Sequence, residues 1–75
     1  MTEVASMTRQ HISERSRIDG LTYRKFLDLS GSDRRDVLAS FRRDAQEAID
    51  KSDAHGRRIG RDMMKRIEAW EASIA

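Results

Sequence analysis

Cysteine and proline are both absent from this 75-residue chain. Without cysteine it cannot be a disulfide-stapled module. Nor can it build a cysteine-based zinc site, which its two histidines could not complete alone. No apolar run approaches the ~20 residues that a membrane span needs. The N-terminus lacks the apolar core of a secretory signal. The expected setting is therefore cytoplasmic, with no membrane partner. A mass of 8.7 kDa allows one domain, near the lower limit for a chain that folds alone. A multi-domain enzyme with a deep cleft does not fit.

Catalytic constellations are missing as well. His11 and His55 are far apart in the sequence, and there is no histidine pair at i, i+4 spacing. No serine sits between glycines in a strand-to-helix elbow. Gly31 lies between Ser30 and Ser32 but lacks the spacing of a phosphate-binding loop. The expectation is no enzyme, no catalytic residue, no metal and no cofactor.

What is abundant is charge. Charged and hydrophobic residues each make up 37% of the chain, and the formal net charge is +2. Lys25, Lys51 and Lys65 are its only lysines, so arginine dominates the basic residues. A GC-rich genome explains such a bias; so does a need for guanidinium forks that match carboxylate, phosphate or protein-interface contacts. The distribution is uneven: +1 over residues 1–31, −1 over 32–53, +4 over 54–66 and −2 over 67–75. Arg57, Arg61 and Lys65 are four apart and share one helix face. With Arg58 and Arg66 they form a candidate contact for nucleic acid or an acidic partner. The plainer reading is a solubilising face.

Patterning points to helices. Residues 1–7 read as a flexible tail and 8–75 as a single helical domain. Thr8 is a candidate cap for a helix to about Arg17, although Ile12 and Ile18 are off helical spacing. Asp19-Gly20 marks a turn or the end of that helix. Leu21–Leu29 reads as a short helix capped by Thr22, with Tyr23, Phe26, Leu27 and Leu29 on one broad side. Gly31 fits a left-handed position closing it. A strong amphipathic helix follows over Asp33–Ser52, with Val37, Leu38, Phe41, Ala45, Ala48 and Ile49 as its apolar positions. Another covers Ile59–Ile74, with Ile59, Met63, Ile67, Trp70 and Ile74 as its stripe. Glu47–Lys51 and Asp62–Arg66 are spaced for i, i+4 ion pairs.

Gly56 and Gly60 lie between the two strong segments. Each glycine costs about 1 kcal/mol relative to alanine inside a helix, which argues for a break. Against it, Phe41 and Ile59 are 18 residues apart, or five helical turns. One unbroken helix would keep a single stripe and would require oligomerisation. Ser52, Gly56 and Gly60 would then form a small-residue notch for a partner helix. The paired glycines favour the break. The predicted fold is all-α: three helices, with a fourth as a variant, built on an antiparallel helical hairpin.

Two functional readings stand. The first is a non-enzymatic regulator or inhibitor of a protein partner, acting through Met63, Met64 and Trp70, adaptable or hot-spot residue types. A homodimer is expected, because so small a helical chain buries little apolar surface alone. Size and style suit a phage or mobile-element accessory protein. The alternative is a small DNA-binding transcriptional regulator. It would use the 57–66 cluster, or a helix-turn-helix over Tyr23–Phe41 carrying Arg34, Arg35 and Arg42. Asp33 and Asp36 oppose the latter, since they occupy the end of the helix that normally meets DNA. A ribbon-helix-helix dimer with residues 2–8 as its strand is a further, weakly patterned variant.

Overall fold

The computed structural model describes residues 12–74, so the expected tail, the start of the Thr8 helix, His11 and the 2–8 strand lie outside the described residues. Its elements in chain order are β1 (Arg17–Ile18), β2 (Leu21–Thr22), α1 (Tyr23–Leu27), α2 (Gly31–Lys51) and α3 (Ala54–Ile74). The described chain is mostly helical, with one two-stranded antiparallel sheet.

The expected helix over 8–17 is not present where the structure describes it. Residues 12–16 are irregular, and Arg17–Ile18 pairs with Leu21–Thr22 instead. The reason is local. Asp19 and Gly20 adopt φ values of 49° and 87°. Positive φ at both central residues is the demand of a two-residue turn whose twist matches its strands, and Asp-Gly meets it. Ile18 then points into the core and is fully buried.

Thr22 caps α1 as predicted, its hydroxyl accepting from the Lys25 amide at 3.3 Å. The Ser-Gly-Ser segment behaves differently from the expectation. Gly31 does not close α1 in a left-handed conformation; it is the first residue of α2. Ser30 caps that helix by accepting from the Asp33 amide at 3.1 Å. A serine cap satisfies an otherwise orphaned amide, and that outweighs the use of Gly31 as a terminator.

The break between the long helices is at Ser52–Asp53, upstream of both glycines. Ser52 is extended, with φ −95° and ψ 169°. Asp53 Oδ1 accepts from the Gly56 amide at 3.0 Å, and its carbonyl accepts from the Arg57 amide at 2.9 Å. This cap starts α3 five residues before the predicted Ile59. Gly56 and Gly60 therefore lie inside a continuous helix.

Gly60 has a packing role. A Cβ built there would lie 2.8 Å from the Ala45 carbonyl oxygen, 2.9 Å from Ile49 Cγ1 and 3.2 Å from Ala48 Cβ. Only a hydrogen in place of a side chain lets α2 and α3 approach so closely. The three-residue notch does not form, because the helix breaks at Ser52; Gly60 alone of the three receives α2. Contacts farther along pair Arg42 with Met64 and Glu71, so the two helices run antiparallel.

The core is Ile18, Tyr23, Phe26, Leu38, Phe41, Ala45, Ile67 and Trp70. All four aromatic residues of the chain are in it. The Trp70 ring lies 4.8 Å from Phe26 and 5.3 Å from Tyr23, centroid to centroid. Such pairs add about 0.5–1.5 kcal/mol beyond burial. Ile59, expected in the stripe, is 52% exposed. The inner face is centred on Gly60, Ile67 and Trp70, and Ile59 is about 100° around the helix from Gly60, at the edge of that face.

Two glycine substitutions separate packing from propensity. Gly31→Ala meets no atom within 4 Å and should be neutral or stabilise by up to about 1 kcal/mol. Gly60→Ala gains a similar propensity term of about 1 kcal/mol but must push α2 away, at about 1–3 kcal/mol. Urea unfolding should show a net loss for Gly60→Ala; a gain there would contradict the close approach.

Candidate functional site

Helix periodicity divides α3 into two faces. The inner face carries Gly60, Ile67 and Trp70, all buried, flanked by half-buried Met63, Met64 and Ile74. The opposite face carries Arg57, Arg58, Arg61 and Lys65, all exposed. With Ala54 and Asp62 these four cations line a shallow surface depression of about 480 Å³. The structure thus gathers four of the five basic residues singled out in the sequence. The fifth, Arg66, stands apart: its guanidinium donates to the Arg17 carbonyl at 3.3 Å and ties α3 to β1.

Among the described residues the four cations have no counter-ion within ion-pair distance. Among the described residues the ion pairs are Arg24–Glu14, Arg42–Glu71 and Lys51–Glu47. None involves the basic face. The expected Glu47–Lys51 pair forms, at 3.8 Å, but Asp62–Arg66 does not. Arg57–Arg61 and Arg61–Lys65 are like-charge pairs at i, i+4, each costing a few tenths of a kcal/mol, about 0.2–0.5. No ion pair among the described residues offsets this cost. α3 also presents the positive end of its peptide dipole on this side, while Glu68 and Glu71 lie toward its other end.

The other basic helix is differently committed. Arg34 donates to the Leu27 carbonyl at 2.6 Å and closes the end of α1. Arg42 donates to Glu71 and approaches the Met64 sulfur at 3.6 Å. Of the three arginines of the candidate helix-turn-helix, only Arg35 is exposed and without a bond among the described residues. These two contacts explain why that constellation is structural: both guanidiniums lock helix ends and seams.

Trp70 is not offered to a partner in this fold. It is 1% exposed, and its indole N–H donates to the Ser16 hydroxyl at 3.3 Å. Beside it the Tyr23 hydroxyl donates to Ser73, which donates to the Trp70 carbonyl, both at 2.7 Å. Thus the tryptophan joins α3 to α1 and the segment before β1. Met63 and Met64 pack against the core, half-buried. The large apolar residues that are exposed among the described ones are Leu27, at 40%, and Ile59, at 52%. No group of three or more metal-ligating side chains occurs among the described residues. None of the helices there is long and apolar enough to cross a membrane.

No protein-family model matches the chain, and no curated protein or solved structure is significantly similar to it.

Burial of the single tryptophan is directly measurable. Native fluorescence should be blue-shifted and resist iodide quenching, with quenching rising on unfolding in urea. Trp70→Ala should cost about 3–5 kcal/mol, enough to unfold so small a domain. Strong iodide quenching of the native protein would contradict the core position.

Proposed function

We propose that this chain is a small non-enzymatic binding protein. Its working surface is the outer face of α3, and its partner is a nucleic acid. The observation that carries the proposal is the row Arg57, Arg58, Arg61 and Lys65: exposed, convergent on one depression and free of counter-ions among the described residues. Clustered cations that are unpaired in the fold are what phosphate neutralisation requires. The role that suits such a surface is regulatory, the DNA-binding regulator anticipated from the 57–66 charge excess. Arg66 is left out of the contact set because it is bonded to the Arg17 carbonyl.

The protein-partner reading, a regulator or inhibitor of another protein, keeps one specific support. Exposed Ile59 stands next to half-buried Met63, one turn away along α3. Together they offer an apolar edge beside the cations. Met64 is engaged with Arg42, and Trp70 is in the core, so this reading rests on fewer residues than the sequence suggested. A homodimer is compatible with either reading. It would present two basic faces, and sedimentation equilibrium measures it directly.

The test is fluorescence anisotropy with labelled oligonucleotides at low salt. The expected result is binding that weakens steeply as salt is added. The triple variant Arg57→Ala/Arg61→Ala/Lys65→Ala should lose it while keeping the same far-UV circular dichroism. Arg43→Ala, which removes an exposed arginine from α2, should bind as the parent does. If no nucleic acid binds at low salt, the nucleic-acid reading is wrong. The apolar edge should then be tested by Ile59→Asp in pull-downs.

A further inference from the structure

Resting on the nucleic-acid reading above, we infer that the face made by Arg57, Arg58, Arg61 and Lys65 selects double-stranded DNA over single strands and over RNA duplexes.

Three observations lead there. The first is the fate of the aromatic residues. Proteins that hold single strands combine a basic groove with aromatic side chains on which bases stack, each worth about 1–3 kcal/mol per base. This chain has four aromatic residues, Tyr23, Phe26, Phe41 and Trp70, and all four are buried in the core. Among the described residues the one exposed ring is the His55 imidazole, so an unpaired base finds little to stack on. Sequence-specific RNA recognition relies on the same stacking and on splayed bases, so it is disfavoured for the same reason.

The second is charge density. Arg57 to Lys65 spans about 12 Å along the helix axis. Duplex DNA carries one charge per about 1.7 Å of its axis, and each strand one per about 3.4 Å. Over the length of the basic row a duplex therefore offers about seven phosphates, and an extended single strand about half as many. With little stacking on offer, binding rests mainly on the phosphates, and the denser array wins.

The third is shape. The cations lie on the solvent-facing side of one α-helix, away from the face that packs on α2. A helix with its side chains is about 10–12 Å across, close to the ~12 Å width of the B-form major groove. The major groove of an RNA duplex is too deep and narrow for side chains to enter. The chain also contains no asparagine, and Gln46 is on α2, bonded to Asp50. Among the described residues, the amide side chains that pair with adenine edges are thus missing from the basic face. What remains on it is suited to phosphates and, through its arginines, to guanine.

The test uses the full chain with three probes: a 20-base-pair DNA duplex, one of its strands alone, and an RNA duplex of the same sequence. Affinities are measured across a salt series. Four contacts predict a slope of log K against log salt of about −3.6 on duplex DNA, a loss of about 150-fold between 50 and 200 mM. On the single strand the magnitude should stay below about 2.8. Duplex DNA should bind tightest at every salt concentration. Removing Arg57, Arg61 and Lys65 should flatten the duplex slope by about 2.7. Tighter or equal binding to the single strand or the RNA duplex overturns this inference and leaves the nucleic-acid reading standing. Absence of binding to all three probes overturns both. Should the triple variant be poorly folded, Arg57→Ala alone serves, with an expected flattening of about 0.9.

Discussion

The structure depends on how closely α2 and α3 approach at Gly60. The absence of a side chain there lets the helix meet the backbone of Ala45 and the side chains of Ala48 and Ile49. Everything after this contact is fixed in phase. With Gly60 on the inner face, Ile67 and Trp70 must follow it inward two and three turns later, and the cations must face out. A residue with a Cβ at this position would separate the helices and loosen the aromatic cluster beyond. The connector only permits the reversal: Ser52 extends the chain and Asp53 restarts the helix. The seam then holds it.

A second consequence concerns how a small domain spends its few large side chains. Burying all four aromatics, with Ser16 and Ser73 satisfying the Trp70 and Tyr23 polar groups, gives the core. Among the described residues it leaves Leu27 and Ile59 as the large apolar side chains exposed on the surface. The arginines divide into two groups. Arg34, Arg42 and Arg66 bond to carbonyls or to Glu71 and serve the fold. Arg57, Arg58, Arg61 and Lys65 are left to the solvent.

Much of this was legible in residue order. The amphipathic patterns over 33–52 and 59–74 and the Thr22 cap were readable because periodicity and capping are local. The outward row of Arg57, Arg61 and Lys65 followed from spacing alone. The misread parts were those in which two local signals compete. Asp19-Gly20 served equally as helix terminator and as hairpin turn; the flanking Ile18 and Leu21 were the available clue. Glycine reads as a breaker in a linear sequence, yet Gly60 is required by a neighbour that only tertiary structure supplies. The fate of Trp70 was open for the same reason, since exposure depends on which face meets α2.

The central claim is that α3 folds onto α2 of the same chain through Gly60. It can be tested by isotope-filtered nuclear Overhauser spectroscopy on a mixture of labelled and unlabelled chains. The account predicts strong contacts from the Gly60 α-protons to the Ala48 methyl and Ile49 side chain within one molecule, and none between labelled and unlabelled molecules. Contacts that appear only between the two would mean that the helices pair across copies, contradicting the fold on which the basic face depends.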